Sequence, residues 1–419
     1  MAADDTDKLK VCHFVTYYLP VTQNWIYSQL LYNEDCSATV LCQRLVNPEQ
    51  FPFDAVYPIC QSQGLSSVPN RLIHKLFERY PLEPHISNVK RINPDILHGH
   101  FLLESWRNYR LIKRMNIPLV TTCYGQDVTS LLRKPFWAAR SRKVFELGAA
   151  FIVEGEHMGE MLAAKGCPKE KIRVIKLGVD VERICGINGI KSINSINDNN
   201  NVDGNDKKVR ILFTGLNREK KGAIYAAKAF VKALSINTDN QSNNNSNGND
   251  NNGIDLELHL LGDGVYRKPV EKILTDAGAL SKAVFHGVTP YSRYLEILKS
   301  ADIVLAPSVR AADGDTEGGA PVVVIEALCA GVPVVGSNHC DIPNIVSNGS
   351  TGLLSAERDT DALARDIRAL SNDRRLRAEM GECGVKYARA EHDIVRQARK
   401  ITGVYREVLG EILTLSRPL

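Results

Sequence analysis

Residues 313–336 read DGDTEGGAPVVVIEALCAGVPVVG. Two carboxylates, Glu317 and Glu326, flank a small-residue turn (Gly318, Gly319, Ala320) and an apolar run. Pro321 suits the opening of a helix, where its missing N–H costs nothing and its φ is already helical. Gly331 suits the close of that helix, because glycine adopts the left-handed cap conformation without strain. The chain then restarts as a short apolar strand at 332–335. A turn that delivers unpaired backbone N–H groups to the head of a helix binds phosphate. Acid, anion cradle and second acid, in that order, suit a sugar attached to a phosphate. Local propensity offers a competing reading. Val322, Val323, Val324 and Ile325 are β-branched and favour a strand, and a short apolar run alone does not separate the two.

Outward from this stretch, composition sets bounds. At about 100–200 residues per domain, 419 residues suggest two or three domains. The hydrophobic and charged fractions, 44% and 24%, are those of an ordinary globular chain. A net charge of +4 is too mild to argue for nucleic acid, and no nucleic-acid-binding motif is present. The N-terminus, MAADDTDKLK, is unlike a signal peptide, and no apolar stretch approaches the ~20 residues of a membrane span. The expected location is the cytoplasm, with peripheral contact at the cytoplasmic membrane face. The ten cysteines include no C-x-x-C pair and no zinc-like spacing, so they read as reduced, structural thiols, Cys329 among them.

Strand-like segments fall at 11–16, 38–42, 96–98, 118–122 and 150–153, with helical patterns between them at 25–32, 71–80, 103–115 and 158–165. A second series starts at 210–214 (RILFT) and continues at 257–261, 283–286, 303–307 and 333–335, with helices at 223–234 and 291–299. Helical patterns at 360–370, 374–389 and 393–414 close the chain. Alternating strands and helices imply α/β units with parallel sheets. Two tracts, 187–207 and 237–253, are dominated by Asn, Asp, Ser and Gly. They lack the apolar surface to offset ordering entropy, so the first reads as a linker and the second as a surface insertion. The expected organisation is a first Rossmann-like domain at 1–185, a linker at 186–207, a second Rossmann-like domain at 208–385 and C-terminal helices at 386–419 that cross back to the first domain.

Several segments occur together in one order: TGLNREKKG (214–222), HLLGDG (259–264), FHGVTP (285–290), ADIVLAPS (301–308), the TEGGAPVVVIEALCAGVPVV run and SNGSTGLL (347–354). The first half adds PDILHGHF (94–101), IPLVTTCYGQD (117–127) and EKIRVIKLGVD (170–180). This chain resembles the retaining, GT-B-fold glycosyltransferases of family 4, also called group 1, and most of all their exopolysaccharide-assembly branch. The resemblance implies two Rossmann-like domains facing across a cleft. It also implies transfer of a sugar from a nucleotide diphosphate sugar to a saccharide or lipid-linked saccharide.

Physical roles stand beside the family ones. As the glycosidic bond breaks, charge grows on the β-phosphate, and cations placed there stabilise the transition state more than the ground state. The loop 215–222 carries Arg218, Lys220 and Lys221 after a buried strand, although such a charge run is more commonly a solvated face. By resemblance, Lys221 is the phosphate-binding lysine, Glu326 accepts from the ribose hydroxyls and Glu317 lies beside the donor sugar. Gly215, Gly262, Gly318, Gly319 and Ala320 then contribute to the donor site, and His100, Tyr124 and Asp127 to the acceptor side, with residues 22–25 as part of the acceptor wall. The resemblance also implies that the departing phosphate takes the acceptor proton, without a separate base.

Three positions depart from the family pattern. Eight residues separate Glu317 from Glu326 where the family has seven. Leu216 stands where an arginine is usual, and Tyr124 where many members carry histidine. Asp313-Gly314-Asp315 has the D-x-D form of metal-binding glycosyltransferases of another fold, but two acids offer a hard cation too few ligands. The expectation is a solvated pair and no metal or cofactor. Residues 131–145 (LLRKPFWAARSRKVF) mix bases with aromatic rings and suit either an anionic membrane surface or an ordinary amphipathic helix. Two other readings stay open: a nucleotide-sugar epimerase, and a non-catalytic glycosyltransferase-like subunit. A dehydrogenase is disfavoured, because no G-x-G-x-x-G follows a strand.

Overall fold

The computed structural model describes residues 8–20, 23–58, 82–185, 208–236 and 254–410, without the side chains of 82–85. The expected helix at 71–80, Thr22 and both Asn-rich tracts lie outside the described residues. The chain forms two compact units, one of Met1–Val179 with Asp393–Leu419 and one of Asp180–His392.

In the first unit, seven strands run β1 (Leu9–Tyr18), β2 (Cys36–Leu45), β3 (Val56–Pro58), β4 (Ile96–His100), β5 (Leu119–Thr122), β6 (Ala150–Val153) and β7 (Ile172–Val174). They lie in the order β3-β2-β1-β4-β5-β6-β7, all parallel. In the second, β8 (Lys208–Thr214), β9 (Asp255–Leu261), β10 (Ala283–Gly287), β11 (Ile303–Ala306), β12 (Val334–Ser337) and β13 (Gly352–Ser355) take the order β10-β9-β8-β11-β12-β13, again all parallel. Counted from the first strand of each unit, both orders begin 3-2-1-4-5-6, the Rossmann arrangement. It opens a crevice beyond the carboxyl ends of the strands where the order reverses. The reversals fall at β1/β4 and at β8/β11. Strands buried along their whole length, such as ILHGH and IVLA, follow from this, since a parallel sheet is buried on both faces.

Helix Ala223–Ser235 packs an alanine-rich face, Ala226, Ala227, Ala229 and Ala233 around Phe230, into the second core with Phe213, Leu258 and Leu363. Helix Ile394–Val408 places Ile401, Val404 and Tyr405 against Val11, Ile96, Val120 and Ile152 of the first sheet. The chain's far end thus covers one face of the first unit. The expected boundaries at 185 and 386 move. Helix Val181–Cys185 and residues 386–392 belong to the second unit, where Ile184 and Cys185 are buried and Arg389 reaches Cys185.

The run after Pro321 is a helix, Val322–Cys329, with Pro321 as its N-cap. Burial overrides β-propensity here, because Val324, Ile325, Ala327, Leu328 and Cys329 are all in the core. Gly331 sits at φ 69°, and the amides of Gly331 and Val332 donate to Leu328 and Ala327, a Schellman close. The helix expected at 103–115 is two, Leu102–Arg107 and Tyr109–Met115, parted at Asn108, whose side chain donates to the Glu104 carbonyl. The described cysteines are free thiols, most of them buried. No described helix is long and apolar enough to cross a membrane.

Candidate active site

Both reversal points carry clusters of polar side chains. In the second unit, β8 ends at Thr214 and its loop turns at Gly222, φ 77°. A Cβ at Gly222 would lie 1.9 Å from the Pro307 carbonyl, so only glycine lets the loops after β8 and β11 meet this closely. Lys221 packs its stem against Gly215 and extends its ammonium to Glu317, Nζ to Oε2 3.0 Å. Ser308, after β11, donates to Glu317 Oε1 at 2.9 Å. Burial pushes the Glu317 carboxyl up, but the charges of Lys221 and Lys220 and the hydrogen bonds from Lys221 and Ser308 outweigh it and hold its pKa low. Glu317 is therefore an ionised, buried acid facing a cation.

Lys220 donates to the Thr316 carbonyl at 2.8 Å and lies 3.3 Å from Asp315. Asp315 is buried, which corrects the expectation of a solvated D-x-D pair; only Asp313 is exposed. Gly318, at φ 78°, donates to Thr316 Oγ1. Among the described residues, nothing accepts from the amides of Gly319, Ala320, Val322 or Val323 at the head of the helix. Unpaired N–H groups beside Lys221 form a seat for an anion. Gly262, after β9, donates to the Gly287 carbonyl. Arg218 is exposed, and Leu216 is fully buried in the core, so Leu216 presents no charge to the site.

Glu326 lies on the helix past the turn, with different partners. Tyr291 donates to its Oε1 at 2.8 Å and Tyr294 to its Oε2 at 2.5 Å. Burial raises its pKa to about 7, while the two hydroxyls pull it down. Glu326 thus already holds two hydroxyl donors, the kind of group a ribose diol presents.

In the first unit, His13 of β1 and His98 and His100 of β4 lie together. His100 Nδ1 is 2.7 Å from the Tyr124 hydroxyl and its Nε2 is 3.1 Å from His13 Nδ1. His98 reaches Tyr405 (2.5 Å) and Thr122 (2.8 Å). Burial pushes the pKa of His13 down to about 3 and lowers those of His98 and His100 as well, so the three rings are neutral. A ring nitrogen of each lies within 4.8 Å of the others. Yet the His98 and His100 rings stack at 12° and 4.5 Å, so their in-plane lone pairs run parallel and do not converge on one ion. Both nitrogens of His98 and of His100 are hydrogen-bonded, and His13 joins them through Nδ1, so the cluster is a network. Asp127 spends its oxygens on the amides of Leu102 and Tyr124, each at 3.0 Å, and braces the loops after β4 and β5. Phe101, directly after His100, holds φ 76°, a strained value for a residue other than glycine.

Sequence reasoning named Lys221, Glu317, Glu326, His100, Tyr124 and Asp127. It missed Ser308, His339, Tyr291, Tyr294, His13 and His98. Two signals were available: His98 and His100 sit two apart on one strand face, and Tyr291 and Tyr294 three apart on one helix face.

Comparison with known proteins fixes the class. A glycosyltransferase from Rickettsia africae ESF-5 superposes with a TM-score of 0.72 at 15% identity, over 96% of this chain and 99% of that one. Anabaena HepE, solved in complex with UDP, superposes at 0.68 and 16% identity, over 96% of this chain and 100% of that one. The fold is GT-B. The family model described as Glycosyl transferases group 1 matches residues 195–387, and Glycosyltransferase Family 4 matches residues 34–183. With both units matched, the chain belongs to the group 1 glycosyltransferases.

Curated relatives include WcaL of Escherichia coli K12, named for colanic acid biosynthesis. It is 27% identical over 281 residues, 67% of this chain and 61% of that one. AmsK of Erwinia amylovora, named for amylovoran biosynthesis, is 30% identical over 210 residues, 50% of this chain and 44% of that one. The chain spans about half the length of these relatives.

Proposed function

We propose that this protein is a retaining, metal-independent hexosyltransferase. It moves a sugar from a nucleotide diphosphate sugar to a saccharide or lipid-linked saccharide in polysaccharide or glycoconjugate biosynthesis. The observation that carries this is the pairing of half-buried Lys221 with buried Glu317 beside four unpartnered amides. The relatives' names and the capture of HepE with UDP-glucose point the same way.

On this reading, the donor's β-phosphate takes the free amides and draws Lys221 from Glu317, while Arg218, exposed on the same loop, adds charge. Glu317, released, orients the sugar hydroxyls and offsets positive charge at the anomeric carbon. The anomeric carbon–oxygen bond to phosphate breaks, and the acceptor oxygen bonds that carbon on the same face. The acceptor proton leaves on the departing phosphate. Glu326 accepts from the ribose hydroxyls in place of, or beside, Tyr291 and Tyr294. His100 and Tyr124 serve the acceptor side, with Asp127 bracing the loops that carry them. The lysines supply the positive charge at the diphosphate, so no metal is required; loss of transfer with chelator would overturn that point.

The first unit also offers a surface for anionic lipid. Helix Pro135–Leu147 and its lead-in expose Arg133, Lys134, Arg142, Lys143 and Phe136, and helix Tyr109–Met115 exposes Arg110, Lys113 and Arg114. Arg140 turns inward, over the Phe136 ring. Acidic liposomes should retain the protein at low salt and release it at high salt; no retention at low salt ends the docking idea.

The deciding experiment is a melting-temperature screen with UDP, GDP, ADP and their sugars, followed by transfer assays with the stabilising donor, since a ligand specific for the native state raises the melting temperature. Isomerised donor without acceptor would mark an epimerase, and nucleotide binding without turnover a non-catalytic subunit.

A further inference from the structure

Three strand-end loops converge on Glu317. Lys221, after β8, and Ser308, after β11, hold its carboxylate. The third contact comes from His339, after β12, and it holds the backbone. His339 is 3% exposed. Its Nε2 accepts the Glu317 N–H at 3.2 Å, and its Nδ1 lies 2.7 Å from Glu357 Oε1.

The chemistry of the two ends fixes the ring's proton. A backbone amide only donates, so Nε2 must present its lone pair. A carboxylate only accepts, so Nδ1 must carry the hydrogen. Glu357 is itself anchored by the Arg310 amide at 3.0 Å, with Arg358 3.8 Å away. Burial acts to raise the Glu357 carboxyl, but His339, the Arg310 amide and Arg358 hold it low. One tautomer of the neutral ring satisfies both neighbours.

The amide it grips is where the anion-binding turn begins. The next amide, of Gly318, donates to Thr316, and the two after it are the first of the four unpartnered ones. Fixing the Glu317 N–H therefore aims the carboxylate and the free amides together. Cys340, the residue after His339, is at φ 49°, with its thiol 3.2 Å from the same Nε2. A residue other than glycine stays in that region only where its surroundings hold it.

We infer that His339 is a positioning residue for Glu317. The ring, oriented by Glu357 at Nδ1, sets the turn by accepting the Glu317 N–H at Nε2. The groups facing the ring are Glu357 with Arg358 behind it, Cys340 with Asp341 beside it, and Glu317, whose charge Lys221 and Lys220 balance. The catalytic consequence rests on Glu317 being the donor-sugar carboxylate; the structural one does not.

The test uses the full chain with His339→Gln, whose side-chain oxygen can accept from the amide, and His339→Leu, which cannot. Amide hydrogen exchange at Glu317 should show protection in the native protein. The Gln variant should stay protected, and the Leu variant should not. In donor turnover, the Leu variant should lose about 10- to 100-fold in kcat, the scale of a small misplacement, with nucleotide KM little changed. The Gln variant should recover most of the rate.

Unchanged protection in the Leu variant, or lost protection in the Gln variant, overturns the inference. If Leu does not fold, the Gln variant decides. If the native protein turns over no donor, the donor-sugar reading of Glu317 fails, while the exchange experiment still decides the role of His339.

Discussion

The two units share one strand order and gather polar groups at the same topological place, yet the chemistry there is opposite. At β8/β11 the second unit holds charges: Lys220 and Lys221 against Asp315 and Glu317. At β1/β4 the first unit holds neutral rings, His13, His98 and His100, joined to tyrosine and threonine hydroxyls. The shared topology explains the place, since strand reversal leaves a crevice whatever lines it. The side chains decide what each crevice can bind. A charged pair that opens suits a diphosphate, and a neutral, donor–acceptor network suits sugar hydroxyls.

The sharpest way to break this contrast is at Glu317. Glu317→Ala should cut kcat by about 10²–10³-fold, the scale of removing one preorganised electrostatic partner, and leave nucleotide affinity nearly unchanged. Affinity that collapses together with kcat would make Glu317 a nucleotide ligand. Lys221→Ala comes next. It should weaken diphosphate binding, and it leaves a buried carboxylate short of its partner, at a cost of about 1–3 kcal/mol by denaturant unfolding. The double variant Lys221→Ala/Glu317→Ala should lose less than the sum of the two, because the pair is one interaction. Strict additivity would mean that the two residues act apart.

Glu326 sharpens the picture with pH. Its folded-state pKa is raised to about 7, so its contribution to stability is full below the ordinary carboxylate range and is lost as pH rises through about 7. The ionised form is the better acceptor for a ribose diol, so nucleotide affinity should strengthen as pH rises through the same window. Glu326→Gln should flatten that dependence, and Tyr294→Phe should shift it to higher pH by removing a donor that favours the charged form. Calorimetric titrations across pH would show it.

The smallest expected effect lies in the first unit. His13 has its pKa lowered to about 3 by burial, so its contribution to stability is full above the unfolded histidine value and declines as pH falls from there toward about 3. Protons must enter a buried, neutral network. His13→Gln should reduce the acid slope of first-unit stability by at most about 1.4 kcal/mol per pH unit, one proton's worth. An unchanged slope would mean that His13 does not couple to unfolding.

Much of this was legible in the chain. Apolar runs separated by helical patterns gave both sheets, although β3, β7 and β13, three or four residues each, carry too little pattern to stand out. Glu317 and Lys221 were readable because each sits where a strand ends and glycines follow. Glu326 was readable as a site residue but not as a partner of Tyr291 and Tyr294, which lie 35 and 32 residues upstream. Asp315 looked solvated, because nothing local reveals the lysine from another loop that buries it. Asp127 looked like a ligand-facing acid, yet its oxygens meet two backbone amides.

The sequence by itself determined the periodicity, and through it two parallel α/β units with acids, lysines and glycines at strand ends. Tertiary structure decided which of those groups touch. It drew Lys221 to Glu317 across 96 residues, turned a β-branched run into a helix by burying it, and closed the first unit with a helix from the far end of the chain. The physical reason is range. Backbone preference acts over a few residues, whereas ionisation, burial and hydrogen-bond direction depend on neighbours that only the folded chain supplies.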